Sequence, residues 1–148
     1  MAQGDFLLFE EFRKTIGDGS HDLDGDSFST ILITTLPTIA DATPDSGDYV
    51  EVTAGGGYST GGITMTTTYT EAAGVATFSD SAAKLWTAAA GSPTDIVAAL
   101  VYNTTHAGTT DAVGFMDMTT DAGITPISLV AGNITLNWNG GTDLFTQA

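Results

Sequence analysis

The residues with the clearest potential for chemistry form an aspartate-rich loop near the start of the chain. Asp22, Asp24 and Asp26 alternate there, and oxygen ligands at such spacing suit a hard cation such as Ca²⁺. The EF-hand pattern is not met, because Ser27 stands where a glycine is needed and Ile33 where a glutamate is needed. A solvated turn, in which Asp and Gly serve turn geometry, is therefore the simpler interpretation, and a calcium site is the alternative.

Other arrangements that support catalysis are incomplete. His21 and His106 both lie in polar stretches without a metal-ligand partner at suitable spacing, so we expect both to face solvent. The chain has no cysteine, which excludes a thiol nucleophile. Paired carboxylates of the glycosidase type are available among 18 acidic residues, but such sites favour a cleft with basic and aromatic neighbours. The protein is therefore not expected to be an enzyme.

The charge balance limits the classes of partner. Three cations, Arg13, Lys14 and Lys84, face 18 carboxylates, for a formal net charge of -15. Contacts with DNA, RNA or anionic membranes need Lys and Arg, so we expect no nucleic-acid and no membrane partner. Hydrophobic residues make up 42% of the chain, which favours a folded domain over disorder. No basic secretory leader and no apolar run of about 20 residues is seen, so synthesis in a host cytoplasm is expected.

These residues must be positioned by a helix and a set of strands. One helix is predicted near the N-terminus, at about residues 5–17, with Asp5 placed to cap it and Gly17 to end it. We expect its apolar face to pack on the rest of the domain or on a neighbouring subunit. That candidate packing or interface face consists of Leu8, Phe9, Phe12 and Ile16, which recur at helical spacing.

The rest of the chain has the pattern of short strands. Residues alternate in polarity over Tyr49 to Thr53 and Ile63 to Tyr69, and Ile96 to Tyr102 is a continuous apolar run typical of a buried central strand. We therefore predict a single domain over residues 1–148. It should be mainly β, as a β-sandwich or jelly roll of about eight or nine short strands with one N-terminal α-helix. Further candidate strands are Phe28 to Thr35, Val75 to Phe78, Leu85 to Thr87, Val113 to Met118, Ile127 to Val130 and Ile134 to Trp138.

The glycine-rich stretch from Gly55 to Gly62 differs from a phosphate-binding loop. It has no lysine of the Walker type, and no helical pattern follows it. We interpret its glycines as positions of positive φ or of close backbone approach. Trp86 and Trp138 are interpreted as core or interface aromatics rather than as a platform for a sugar.

Four segments of the chain have a recognisable pattern: Phe9-Glu10-Glu11-Phe12, Gly17-Asp18-Gly19-Ser20-His21-Asp22-Leu23, Thr34-Thr35-Leu36-Pro37-Thr38 and Gly56-Gly57-Tyr58-Ser59-Thr60-Gly61-Gly62. Together they resemble a family of small structural proteins of tailed-bacteriophage particles. Looser agreement continues through Leu85-Trp86-Thr87, Val101-Tyr102-Asn103 and a C-terminal strand near Trp138. The resemblance implies a β-sandwich virion module, and it supplies no catalytic motif to place on this sequence.

The resemblance and the charge together lead us to expect a capsid decoration (cement) protein on the outer surface of the virion. An inner-face protein this acidic would be repelled by packaged DNA. Its expected partners are the major capsid protein and copies of itself, as a homo-oligomer on the particle. A second hypothesis is a tail, neck or head-fibre module that binds a receptor, and a third is a calcium-dependent binding or hydrolytic domain.

Overall fold

A computed structural model describes residues 4–106, 108–138 and 142–147, and the fold is mainly β, as the sequence predicts. Among these residues are ten strands and one α-helix. They are β1 (Phe6–Leu8), α1 (Glu10–Gly17), β2 (Phe28–Ile33), β3 (Ile63–Thr64), β4 (Thr67–Ala72), β5 (Val75–Asp80), β6 (Lys84–Trp86), β7 (Ala98–Asn103), β8 (Ala112–Asp117), β9 (Ile134–Leu136) and β10 (Asp143–Gln147). The sheets are antiparallel and have the orders β1-β8-β7-β2-β3, β10-β5-β4 and β6-β9.

The apolar run from Ile96 to Tyr102 supplies the central strand β7, as predicted. Its neighbours β2 and β8 are buried at every position. Successive side chains of a strand point to opposite faces, so a strand buried throughout belongs to a sheet that is covered on both sides. The continuous apolar pattern thus follows from a five-stranded sheet in the middle of the molecule.

The two faces of the five-stranded sheet have different covers. The smaller sheets lie on one face, where Phe28 meets Phe78 at a ring-centroid distance of 5.1 Å and Phe6 meets Trp138 at 5.4 Å. The long connection from residue 34 to residue 62 covers the other face, and its Tyr49 stacks on Phe9. Both tryptophans of the chain are buried in this core.

The N-terminal helix is shorter than predicted, and the proposed Asp5 cap is wrong. Residues 6–8 form β1 and pair with β8, and the helix begins at Glu10 after an N-cap, Phe9, that makes no side-chain hydrogen bond. As a strand, residues 6–8 hydrogen-bond to the backbone of β8. If these residues were helical, the backbone groups along that edge of β8 would have no partner. The predicted apolar face is therefore divided. Leu8 lies in the strand, Phe9 and Phe12 are buried in the core, and Ile16 packs against it half-buried.

The glycine-rich stretch has the conformation that its composition predicts. Gly56, Gly61 and Gly62 have φ values of +55°, +84° and +67°. A Cβ at Gly62 would overlap the carbonyl oxygen of Thr30, so only glycine allows the backbone to approach β2 here. The loop is held by Tyr58, whose hydroxyl donates to Glu51 Oε1 at 2.6 Å and accepts from Leu32 N at 3.1 Å.

The hairpin between β4 and β5 has a strained turn that predicts a stabilising substitution. Ala72 pairs with Val75, so Ala73 and Gly74 are the two loop residues, and both have positive φ, at 53° and 82°. A two-residue hairpin turn in which both residues have positive φ is a type I′ turn, and it favours the sequence Asn-Gly. Alanine is unfavourable in the left-handed region. Ala73→Asn should raise the free energy of unfolding by about 0.5–1 kcal/mol. Urea denaturation measures it, and Ala72→Asn, in the adjoining strand, should give no such gain.

Candidate functional site

Three loops meet at the end of the sandwich where β2 begins and β7 ends. They comprise residues 18–27, 43–48 and 104–111, of which residue 107 is not described, and we call them the acidic loop cluster. Thr104 N donates to Ser27 O at 2.8 Å, and Ala112 N donates to Pro44 O at 3.0 Å, which ties the loops together. None of the chain's three cations belongs to these loops. Seven of its 18 carboxylates do: Asp18, Asp22, Asp24, Asp26, Asp45, Asp48 and Asp111.

A buried histidine lies beneath these loops. The side chain of His21 has its Nε2 atom 2.9 Å from Thr110 O and its Nδ1 atom 3.0 Å from Asn103 Nδ2. A carbonyl only accepts and an amide NH₂ only donates, so this geometry requires the neutral tautomer with the proton on Nε2. Asn103 Nδ2 also donates to Asp26 Oδ2 at 2.6 Å. The network therefore connects the first and third loops to Asn103, the last residue of β7.

The prediction that both histidines face solvent is wrong. His21 is only 3% exposed, and its ring lies 4.9 Å from the ring of Phe12 and 4.9 Å from that of His106. Burial lowers the pKa of His21, and His106 lowers it further, although the hydrogen bond to Thr110 and the charge of Asp26 act in the opposite direction. The two histidines are 85 positions apart, so no local pattern in the sequence reveals that they meet.

A serine and a carboxylate join the second loop to the third. Ser46 N donates to Asp111 Oδ1 at 2.5 Å, and the Ser46 hydroxyl donates to Asp111 Oδ2 at 2.6 Å. Burial raises the pKa of Asp111, while the two bonds from Ser46 lower it. Both oxygens of the carboxylate thus have partners, and the arrangement fixes the loops rather than activating the hydroxyl.

The three aspartates considered as calcium ligands form a turn. Asp22 Oδ1 accepts from Asp24 N and from Gly25 N, both at 3.1 Å, while Asp26 Oδ2 accepts from Asp22 N at 2.9 Å. Oxygens that satisfy the local backbone in this way hold a tight Asx-type turn. Within the described ranges, no group of three or more acidic or histidine side chains is arranged to hold a metal ion. These hydrogen bonds therefore favour the plain turn, and the calcium site stays an untested alternative.

A serine-hydrolase pattern, Gly-x-Ser-x-Gly, is present at residues 57–61, outside the strand-to-helix turn in which it marks a nucleophile. The pattern signals a nucleophile only where a strand turns sharply into a helix. Here the exposed Ser59 lies in the glycine-rich loop, and strand β3 follows it.

A shallow cleft of about 550 Å³ lies in the acidic loop cluster, beside Asp45, Asp48 and Thr109. The side chains that line it offer carboxylates and hydroxyls.

A second buried polar cluster joins the two smaller sheets. Lys84 Nζ lies 2.8 Å from Asp80 Oδ2, and these side chains are 6% and 0% exposed. Trp138 Nε1 donates to the same oxygen at 3.2 Å, and Thr66 N donates to Asp80 Oδ1 at 3.0 Å. One of the chain's three positive charges is thus withdrawn from the surface.

The lowered pKa of His21 predicts that acidification destabilises the fold. Between the folded pKa and about 6.5, the unfolded state binds a proton at this histidine and the folded state does not. Stability should therefore fall as the pH drops below about 6.5, by at most about 1.4 kcal/mol per pH unit for one proton. The raised pKa of Asp111 has the opposite effect on stability, and this effect occurs at the lower pH values where carboxyl groups titrate.

Urea denaturation of the wild type and of His21→Gln between pH 7.5 and 5 measures this contribution. The glutamine variant should be less stable at neutral pH, because it loses the bonds to Thr110 and Asn103, and its stability should depend less on pH. Equal pH dependence in the two proteins would show that His21 does not titrate differently on folding.

Comparison of the chain with protein-family models, with curated proteins and with solved structures finds no match. No helix among the described residues is long and apolar enough to cross a membrane.

Proposed function

We propose that this chain is a decoration (cement) protein, which binds the outer surface of a tailed-bacteriophage capsid and stabilises the particle. One observation carries the proposal: nearly all of the exposed charged side chains are acidic. Asp80 and Asp117 are the buried carboxylates, which leaves 16 of the 18 at least partly exposed. Lys84 is buried, so only Arg13 and Lys14 are exposed cations, and Lys14 is paired with Glu11.

The acidic surface favours the outside of a particle over its inside. A protein that contacts packaged DNA needs cations that neutralise phosphates. On the outer face the same charge keeps the free protein soluble and limits unspecific association. The resemblance of residues 9–62 to virion structural proteins supports a place in the particle, and the charge supports its outer face.

The proposed contact with the capsid is the end of the sandwich opposite the acidic loop cluster. β2 runs from the cluster to Ile33, and directly beyond it lie Val50, which is 65% exposed, and the turn that carries Ile124, which is 78% exposed. Val50 and Ile124 are the two most exposed large apolar side chains among the described residues, and a contact with the capsid would remove them from water. In this orientation, the acidic loop cluster faces solvent.

The test is to locate the protein in a particle map and to measure the occupancy of depleted particles after the protein is added back. We expect saturable binding at hundreds of copies, weakened by Val50→Asp and Ile124→Asp. Thr109→Asp, which adds the same charge at the acidic end, should bind like the wild type. A few copies at the tail or neck would establish the receptor-binding alternative instead, and equal binding by all three variants would show that the orientation is wrong.

A second measurement tests the electrostatic argument directly. Phosphate contacts are strongest at low salt, so a mobility-shift assay with duplex DNA at low ionic strength is the most sensitive condition. No shift is expected at micromolar protein. Binding there would contradict the assignment to the outer face.

A further inference from the structure

Strand β4 leaves one edge of the three-stranded sheet open. It pairs with β5 in an uninterrupted register from Thr67 to Ala72, and it has no neighbour on its other side among the described residues. Natural sheets usually protect an open edge with Lys, Pro, a bulge or a very short strand. β4 has six residues, with no Lys, Pro or bulge, and its one charged side chain is Glu71 beside the hairpin turn, whereas a register shift interrupts β10 at the opposite edge.

The register identifies the backbone groups that point outward. A two-residue hairpin loop is closed by a hydrogen-bonded pair, here Ala72 with Val75, and bonded pairs alternate along an antiparallel ladder. Ser81 N donates to Thr66 O at 2.9 Å, which agrees with this alternation. The N–H and C=O groups of Thr67, Tyr69 and Glu71 therefore face away from β5 and are available to another strand.

This edge is complementary to itself. In an antiparallel pair of two β4 strands centred on Tyr69, each Thr67 faces the Glu71 of the other copy, and the two Tyr69 residues face each other. Thr68 then lies opposite Thr70 of the other copy, and both side chains are exposed. Thr–Thr and aromatic pairs are favourable across strands, and no like charges are directly opposite.

We infer that two copies of this chain associate through β4, so that their three-stranded sheets form one continuous six-stranded sheet. On a particle this pairing would connect neighbouring decoration proteins, an extension that rests on the proposed function. The pairing itself depends only on the strand and is measured in solution, so it stands or fails independently of the capsid assignment.

Charge and size make the association weak in dilute solution and dependent on salt. Each copy has a net charge of -15, and the repulsion between copies is screened as ionic strength rises. An edge of six residues buries less surface than the roughly 1,000 Å² of a stable interface. Copies held side by side on a surface would have a much higher effective concentration.

Disulfide trapping tests the register, because the chain has no cysteine of its own. Thr68→Cys and ¹⁵N-labelled Thr70→Cys are mixed and equilibrated in a glutathione buffer at high salt. Positions 68 and 70 of different copies would be about 4.5 Å apart between Cα atoms, within the range of a disulfide. The Cα atoms of the same position in the two copies, such as 68 and 68, would be roughly 8 Å apart, which is too far for a disulfide.

Mass spectrometry then measures the relative amounts of the mixed disulfide-linked dimer and of the two same-position dimers, which the ¹⁵N label separates by mass. The mixed disulfide should outnumber each like-position disulfide by at least about tenfold, against about twofold for random pairing. Thr94→Cys, in an exposed loop, should give only the random ratio when it is mixed with Thr68→Cys. A random ratio for the β4 pair, or equal trapping by the control, would overturn the inference.

A proline variant provides a second, independent measurement. Thr67→Pro removes an outward N–H and no bond of the β4–β5 ladder. It should remove the salt-dependent association seen by sedimentation at high protein concentration, while its circular dichroism spectrum remains that of the wild type. A proline variant that is folded and still associates like the wild type would contradict pairing through this edge.

Discussion

Replacing Lys84 by methionine should lower the free energy of unfolding by about 3–5 kcal/mol, the cost of leaving a buried charge unpaired. The Asp80 carboxylate is fully buried, and Lys84 is its cation. Without the ammonium group, the carboxylate keeps only the N–H donors of Thr66 and Trp138. The Cm of urea denaturation measures the loss, and an unchanged m-value would show that the unfolded state is not affected.

The double variant Asp80→Asn, Lys84→Met separates loss of packing from loss of charge pairing. A neutral asparagine can still accept a bond from Trp138 or Thr66, and its burial does not need a cation. The double variant should therefore regain much of the stability that Lys84→Met loses. If it is as unstable as the single variant, the lysine stem contributes packing and the ion pair is not the cause.

The fold class could be predicted because the strongest patterns come from burial. A continuous apolar run is typical of a strand with both faces covered, and β7 has this environment. Strand β1 was not predicted because its residues were assigned to the helix, whereas its pairing with β8 decides its conformation. Strand β10 was not predicted either, and it pairs with β5. The alternating run from Ile63 to Tyr69 was predicted as one strand, but it divides into β3 and β4, which belong to different sheets.

The candidate site could be predicted only in part. The turn at Asp22 follows from local chemistry, since its carboxylate bonds to backbone groups two and three residues away. The environment of His21 follows from tertiary contacts with Phe12, Asn103 and Thr110, which lie 9, 82 and 89 positions away. Polar neighbours in the sequence indicated exposure, and they could not reveal that a helix and two loops close over the ring.

Phe12→Ala should be the other strongly destabilising substitution, with a loss of about 3–5 kcal/mol for truncation of a buried phenylalanine. The Phe12 ring is 1% exposed and contacts both His21 and Phe145, at centroid distances of 4.9 and 5.9 Å. It therefore joins the helix to the acidic loop cluster and to the three-stranded sheet. Ile16→Ala, at a half-buried position of the same helix, is the control and should cost less.

The same variant has a second readout, because Phe12 contributes to the burial of His21. Removal of the ring should admit water to the imidazole and reduce the desolvation that lowers the pKa of His21. Phe12→Ala should therefore be less stable at neutral pH and also lose less stability on acidification from pH 7.5 to 5 than the wild type loses. A variant that is destabilised but retains the full pH dependence would show that the remaining contacts bury His21 without Phe12.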